Sequence, residues 1–241
     1  MNPYYQDSWV KIFLGDCREV LPALGVKVDL VITSPPFNQS WNGKHHTGSQ
    51  WEKHYEDDLP EDIYQGQQLE ILGMVRRVTN DTGSLWYQHK NRIRHGVSIT
   101  PYQWLLKSGW IMKQEIVWFN RSSNFDKCRF YPMTERIYWL TKSVDTQLDN
   151  VISKHDDWHI TPEGASGDFK RAFPEELVNN IISCFPATDV ILDPYLGSGT
   201  TCYCAKKLNR YSIGIEVNER YAEMAATRCS QEVMNLSGGN G

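Results

Sequence analysis

The sequence predicts an α/β fold built on a largely parallel sheet, and three observations carry that expectation. Val28-Asp29-Leu30-Val31-Ile32 is a short, nearly continuous apolar run, the composition of a strand buried on both faces. A second such run, Val190-Ile191-Leu192, leads through the glycine turn Gly197-Ser198-Gly199 straight into a helical pattern. Strand-like and helix-like stretches alternate along the chain, roughly seven strands and six helices, as a sheet with parallel character requires. With 241 residues, one substantial core and a single domain over 1–241 are expected. Hydrophobic residues at 40% and charged residues at 22% describe a globular chain rather than a disordered one.

Taken in order, the first strand is expected over Trp9–Leu14, closed by Gly15-Asp16, with a short helix over Cys17–Leu21. The next strand ends at Thr33, because Pro35-Pro36 forbids both helix and ladder pairing and fixes a stiff, extended exit. Asn38–Asp58 is a long polar segment without periodicity, and structureless stretches of that length usually serve a function. Pro60 opens a helix with apolar positions Ile63, Leu69, Leu72, Met74, Val75 and Val78. Asn80-Asp81-Thr82-Gly83 reads as a turn, and Ser84–Gln88 as a strand. A helix near Ile99–Lys107, the turn Ser108-Gly109, and strands over Trp110–Phe119 and Glu135–Thr141 follow. Lys142–Asp168 is polar and irregular. Phe173-Pro174-Glu175-Glu176 starts a helix with Leu177, Ile181 and Cys184 on one face. The strand over 189–193, a helix over Thr200–Leu208, a strand over Tyr211–Val217 and a helix from Asn218 to about Met234 complete the chain, with 237–241 expected to fray.

No apolar run approaches a membrane span, and the amino-terminal residues lack a signal-peptide pattern, so an intracellular chain is expected. The six cysteines show no CxxC pair and no histidine at zinc-ligand spacing, so buried, reduced thiols are expected and no metal. Net charge is −4, which does not advertise a polyanion binder. The sign is uneven, however: Lys90, Arg92 and Arg94 cluster in one stretch, and Arg121, Lys127 and Arg129 in another. A basic loop is ordinarily a solvated surface; two of them beside aromatic-rich sequence raise nucleic acid as a partner.

The glycine stretch has its own chemistry. Gly197 and Gly199 let backbone approach a ligand, and the following helix offers free N–H groups. Glu216, about twenty residues on at a strand's end, can accept both hydroxyls of a ribose. A dinucleotide fingerprint needs a third glycine two residues after the second; Thr200-Thr201-Cys202 stands there, which points towards S-adenosylmethionine.

Thr33-Ser34-Pro35-Pro36-Phe37 together with Asp193-Pro194-Tyr195-Leu196-Gly197-Ser198-Gly199-Thr200-Thr201 resembles the amino-group DNA methyltransferases. The catalytic motif before the cofactor motif resembles their circularly permuted beta group, across nearly the whole chain. The resemblance implies a Rossmann-like, S-adenosylmethionine-dependent domain: a seven-stranded, mostly parallel sheet with one antiparallel strand and helices on both faces. Residues 1–141 would form the catalytic half, 142–168 a short target-recognition insert, and 169–236 the cofactor-binding half. It assigns catalysis to Ser34, Pro35, Pro36 and Phe37. Cofactor contacts fall on Asp16, Thr33, Phe173, Asp193, Pro194, Tyr195, Gly197, Ser198, Gly199, Thr200 and Glu216. Double-stranded DNA is the implied substrate, in a bacterial or phage-infected cytoplasm, with a homodimer and a cognate restriction endonuclease as partners to consider. Two departures stand out: Tyr195 replaces the family's usual Phe, and Phe169 replaces a family histidine, so no histidine role is carried over.

An exocyclic amine is a poor nucleophile because its lone pair is delocalised into the ring. Ser34's hydroxyl and the Pro35 carbonyl are the expected acceptors for its hydrogens, held rigid by the double proline. Phe37 is expected to stack on a base that has left the duplex. Ser-Pro-Pro favours cytosine N4 among relatives, with adenine N6 the alternative. An RNA amino-methyltransferase, a catalytically silent DNA-binding protein and an NAD-dependent oxidoreductase are the rival readings; the last leaves Ser34-Pro35-Pro36-Phe37 unexplained.

Overall fold

A computed structural model describes residues 1–39, 57–121, 129–130, 132–151, 155–162 and 174–231. The short strands β1 (Tyr5–Gln6) and β2 (Val10–Leu14) pair antiparallel. Asp16 caps α1 (Cys17–Val20), accepting from the Arg18 N–H at 2.8 Å, and a 3-10 turn over Leu21–Ala23 leads to β3 (Val28–Thr33). Helix α2 (Glu61–Val78) follows Pro60. Its buried side is Tyr64, Gln68, Ile71, Leu72 and Val75, while Ile63, expected on the apolar face, is 48% exposed. The stripe therefore lies one residue further round the helix, and two polar side chains belong to it.

The turn expected at Asn80–Gly83 is absorbed into β4 (Thr79–His89). Pairing with β3 jumps from Val28↔Thr79 to Leu30↔Ser84, so these residues bulge from the ladder without ending the strand. A Cβ on Gly83 would stand 2.8 Å from the Asp29 carbonyl oxygen, so only glycine fits there. The strands β5 (Arg92–Arg94) and β6 (Val97–Ile99) form a separate hairpin. Because Ile99 belongs to that hairpin, the helix expected from it shrinks to α3 (Tyr102–Leu105). Then come β7 (Ile111–Phe119), β8 (Thr134–Thr141), β9 (Asp157–Trp158), α4 (Glu175–Ser183), β10 (Val190–Asp193), α5 (Thr200–Lys207), β11 (Tyr211–Glu216) and α6 (Glu219–Ser230).

The main sheet runs β1-β2-β11-β10-β3-β4-β8-β7-β9. Its seven inner strands are the expected sheet, with β8 antiparallel to both neighbours; two-residue strands extend either edge. Side chains alternate across it. Val31, Leu85 and Tyr87 face a cluster with α1, α2 and α3, whereas Leu30, Ile32 and Trp86 face one with α4 and α5. Cys202 packs in a third cluster with Ala225 and Cys229 of α6, and Cys204 in the α4 cluster, so both faces of α5 are covered. The five described cysteines are buried, and no disulfide joins any two of them. Among the described residues no helix is long and apolar enough to cross a membrane, and none of their His, Cys, Asp and Glu groups forms a metal cluster.

The functional consequence lies at one end of the sheet. β2, β11, β10, β3 and β4 are mutually parallel, so Asp16, Glu216, Asp193, Thr33 and His89 emerge on the same side. The antiparallel β8 enters from that side, bringing Glu135 beside the end of β4.

Candidate active site

The strands that carry the two motifs are neighbours, with Ile191 opposite Leu30 and Leu192 opposite Val31. At their ends Thr33 Oγ1 donates to Asp193 Oδ1 at 2.9 Å. Asp193 also accepts from the Tyr195 N–H at 3.0 Å and, through Oδ2, from Thr201 Oγ1 at 2.7 Å. Burial pushes its pKa up to about 6 against the pull of these three donors. Both carboxylate oxygens are thus taken by the protein. Asp193 and Thr33, expected as cofactor contacts, clamp the two strand ends and the glycine turn together.

The two glycines divide their work. Gly199, at φ 86°, caps α5; a Cβ there would stand 2.8 Å from the Ala225 Cβ. Glycine is needed there because α6 packs against it and its φ is left-handed. Gly197, at φ 55°, has open space where a Cβ would be, so the room for a ligand lies there. Its N–H donates to Glu216 Oε2 at 2.8 Å, and the Asn218 N–H donates to Oε1 at 2.8 Å. The Val217 backbone bonds the same carboxylate, leaving about one of its roughly four lone-pair sites for a further donor, and burial raises its pKa. The Gly15 N–H donates to the Glu216 carbonyl at 2.9 Å, setting Asp16 beside it. The Asp16 carboxylate pairs with Arg18 at 2.5 Å, which holds its pKa below the usual range. Pro194, Ser198 and Thr200 are buried in the same turn. Thr200 Oγ1 accepts from Arg228 at 2.9 Å, and so belongs to the α5–α6 contact. Phe173 lies outside the described residues. The Tyr195 hydroxyl, the family departure, accepts from Gln68 Nε2 at 3.5 Å and donates to the Cys17 sulfur. Gln68 Oε1 in turn accepts from Tyr87 Oη at 3.0 Å, so a polar thread joins the two halves.

The Ser34–Phe37 segment is held by α2 and β4. Tyr64 Oη donates to the Pro36 carbonyl at 2.8 Å and lies 2.8 Å from His89 Nε2. The Tyr64 hydroxyl thus bridges the Pro36 carbonyl and the imidazole, and on the other side of the ring Nδ1 lies 2.8 Å from the Lys90 carbonyl oxygen and 2.9 Å from the Lys90 nitrogen. Burial lowers the His89 pKa to about 3, so the ring is neutral at any ordinary pH. Phe37 rests on that ring with centroids 4.6 Å apart, and the Lys90 ammonium is 5.9 Å from the Phe37 centroid. No described group donates to the Pro35 carbonyl. Ser34 Oγ donates to Gln88 Oε1, and Gln88 Nε2 donates to Glu135 Oε2.

The basic residues divide as well. Arg92 is 3% exposed and corrects the expectation of a DNA contact. Its guanidinium pairs with both Glu61 oxygens at 2.8 and 2.6 Å and lies over Tyr64 and Trp104, 4.8 and 5.6 Å from their centroids. Arg94 bonds Asp58 at 2.8 Å and the Leu59 carbonyl at 2.7 Å, fastening the hairpin to the approach to α2. Arg129 reaches the Gly96 carbonyl at 3.3 Å and Arg121 is exposed, whereas Lys127 lies outside the described residues.

A family profile described as DNA methylase, covering N6 and N4 enzymes, matches residues 28–227. The chain belongs to that family. The curated Type II methyltransferase M.ScaI of Streptomyces caespitosus is 29% identical over 275 aligned positions, covering 98% of this chain and 86% of its own. The structure of the PvuII DNA methyltransferase, described as cytosine-N4-specific, superposes with a TM-score of 0.76 at 21% identity, over 98% of this chain and 91% of that one. A putative DNA modification methylase of Thermus thermophilus, TTHA0409, solved with S-adenosyl-L-methionine, superposes at 0.68 with 23% identity, over 93% and 94%. These likenesses show the same fold. Gln88, Tyr64 and His89 lie by the candidate site and are flagged by none of the DNA methylase motifs, and Glu135 is expected only as the start of a strand. One signal was available: like Thr33-Ser34, Gln88-His89 is a polar pair closing an apolar strand run.

Proposed function

We propose that this chain transfers a methyl group from S-adenosylmethionine to the exocyclic amine of a base flipped out of duplex DNA, cytosine N4 before adenine N6. The observation that carries the reading is the clamp between Thr33 and Asp193. It joins the strand end that leads into Ser34 to the strand end that leads into the glycine turn, at the carboxyl ends of adjacent parallel strands, where open sheets bind ligands. The open space at Gly197 and the unused acceptor capacity of Glu216 suit the cofactor's amino-acid and ribose ends. When bound, that cofactor supplies a sulfonium-activated methyl group.

The chain's own part is orientation. Ser34 Oγ and the Pro35 carbonyl accept the two amine hydrogens, favouring a pyramidal nitrogen whose lone pair is released from the ring. Phe37, backed by His89, stacks on the base and holds it for in-line attack. The amine becomes acidic on methylation and loses a proton to water, so no strong general base is needed. Lys90, beside Phe37, and the exposed Arg121 and Arg129 are suited to nearby phosphates. Cytosine N4 is favoured by Ser34 as the motif's first residue and by the specificity named for the PvuII enzyme. The test is incubation with labelled S-adenosylmethionine and mixed-sequence duplex DNA or RNA, followed by nucleoside mass spectrometry. N4-methylcytosine is expected; N6-methyladenine would move the assignment to adenine, and label in RNA alone would overturn the DNA reading.

A further inference from the structure

We infer that Glu135, acting through Gln88, fixes the polarity of Ser34, so that the site accepts an exocyclic amine and rejects an exocyclic oxygen. The inference rests on the methyl-transfer reading above and adds two positioning residues to it. A serine hydroxyl carries one hydrogen and two lone pairs, and by itself greets a donor or an acceptor equally well. Here its hydrogen is committed. Gln88 lies between Ser34 and Glu135, and an ionised carboxylate can only accept. The Gln88 NH2 must therefore face Glu135 and its carbonyl must face Ser34, an orientation that would otherwise be ambiguous. Ser34 then donates away from the cleft and presents lone pairs towards it. Burial raises the Glu135 pKa, and the nearby Lys90 charge with the hydrogen bonds from Asn120 and Gln88 pulls against it in favour of the acceptor-only form.

The consequence is selectivity for chemical class. Cytosine N4 or adenine N6 offers hydrogens to this acceptor. Thymine, uracil and guanine present a carbonyl oxygen at the corresponding edge, which would meet a lone pair. Sites built around a required hydrogen bond reject analogues lacking it far more strongly than apolar pockets do. Gln88 sits at the carboxyl end of β4 and Glu135 at the amino end of its antiparallel neighbour β8. The relay therefore spans two strands that the fold already holds in register, with His89 opposite Arg136.

Reversing the relay tests it. Glu135→Lys supplies donors only, which turns the Gln88 carbonyl towards position 135 and its NH2 towards Ser34, forcing the Ser34 hydrogen into the cleft. Single-turnover transfer of labelled methyl into mixed-sequence duplex DNA should fall about 100-fold, while S-adenosylmethionine affinity by calorimetry stays within about twofold. Glu135→Gln tolerates either amide orientation and should lose less, about tenfold at most. In the double variant Gln88→Glu/Glu135→Lys, the new carboxylate accepts from both Lys and Ser34, so the rate should recover to within about tenfold of wild type. A Glu135→Lys rate within about threefold of wild type, or a double variant no faster than the single one, overturns the relay. If Glu135→Lys does not fold, Glu135→Gln carries the test: it should slow the wild type but not Gln88→Leu, and equal slowing in both overturns the relay. The underlying reading fails differently, through a wild-type protein that binds the cofactor and labels no DNA, and the relay falls with it.

Discussion

On the cofactor side of the cleft, apart from the long-range bonds of Thr33 to Asp193 and of Gly15 to Glu216, the fixed parts are bound to near neighbours in sequence. Asp193 accepts from a residue two positions on and another eight on, and Glu216 accepts from residues nineteen before and two after. On the catalytic side, Ser34 is held by a residue 54 positions away and Pro36 by one 28 away, itself bonded to another 25 further on. The first arrangement is a turn supported mostly from within and tied to the catalytic strand at Thr33. The second is a loop made rigid by tertiary structure, with α2, β4 and β8 all contributing. Changes on the two sides should therefore separate cofactor binding from methyl transfer.

The largest separation is expected at Ser34. Ser34→Ala removes the oriented acceptor and should lower the single-turnover rate by about 10²–10³, comparable to deleting one oriented oxyanion-hole donor. Cofactor affinity, supported by Gly197 and Glu216, should be unchanged in calorimetry. Loss of both together would mean that the two sides are not independent.

Two buried groups, one on each side, tilt stability against pH in opposite directions. Asp193 has its pKa raised from 3.8 to about 6, so the folded state holds a proton that the unfolded chain has lost between those values. Its contribution is fully present below about pH 3.8 and lost as pH rises to 6, on the order of 3 kcal/mol. His89 is lowered from 6.5 to about 3, so the unfolded chain takes up a proton the folded state refuses. Stability is lost as pH falls from 6.5, on the order of 4 kcal/mol by pH 3. The windows overlap, and in the wild type the slopes partly cancel. Urea unfolding between pH 4 and 6 should rise more steeply with pH in Asp193→Asn and less steeply in His89→Gln. Shifts of the same sign would remove the assignment of either group.

The glycine turn offers a sharper contrast within one side. Gly199→Ala meets the Ala225 Cβ at 2.8 Å and its Cα at 2.9 Å, in a backbone conformation that L-residues resist. Overpacking and left-handed strain together should cost about 3 kcal/mol, read as a lower melting temperature. Gly197→Ala meets nothing and should lose about 1 kcal/mol from strain alone, yet weaken cofactor binding by about tenfold or more by filling the space left for it. Equal thermal effects would end the division of labour between the two glycines.

The same contrast explains what could be read from the sequence. Val28–Thr33 and Val190–Asp193 were legible because an apolar run ended by Pro-Pro or by a glycine turn has one physical outcome wherever it sits. Their adjacency is set by the sheet order. Arg92 was misread because a basic stretch gives no sign that Glu61, Tyr64 and Trp104 will enclose one of its cations. Gln88 carries no motif and Glu135 was legible only as the start of a strand: their meeting depends on the β4–β8 register, which is set by the packing of both faces. The Asn80–Gly83 stretch is turn chemistry that the ladder absorbs as a bulge, because the strand continues on either side of it.

The smallest expected effect tests the long-range support most directly. Tyr64→Phe keeps the ring packed against Trp104 and beneath Arg92 and deletes only the hydroxyl. The half-buried Pro36 carbonyl and the fully buried His89 Nε2 then lose their shared partner, at a cost of about 1–2 kcal/mol. The melting temperature should fall by about 2–4 °C. Methyl transfer should slow by about tenfold at most, because Ser34 keeps Gln88 while the peptide two residues on gains freedom to rotate. Cofactor affinity should not move, since no bond from the Tyr64 hydroxyl reaches the glycine turn. A Tyr64→Phe protein with weakened cofactor binding and an intact rate would reverse the picture, making α2 a support of the cofactor side through Gln68 and Tyr195 instead.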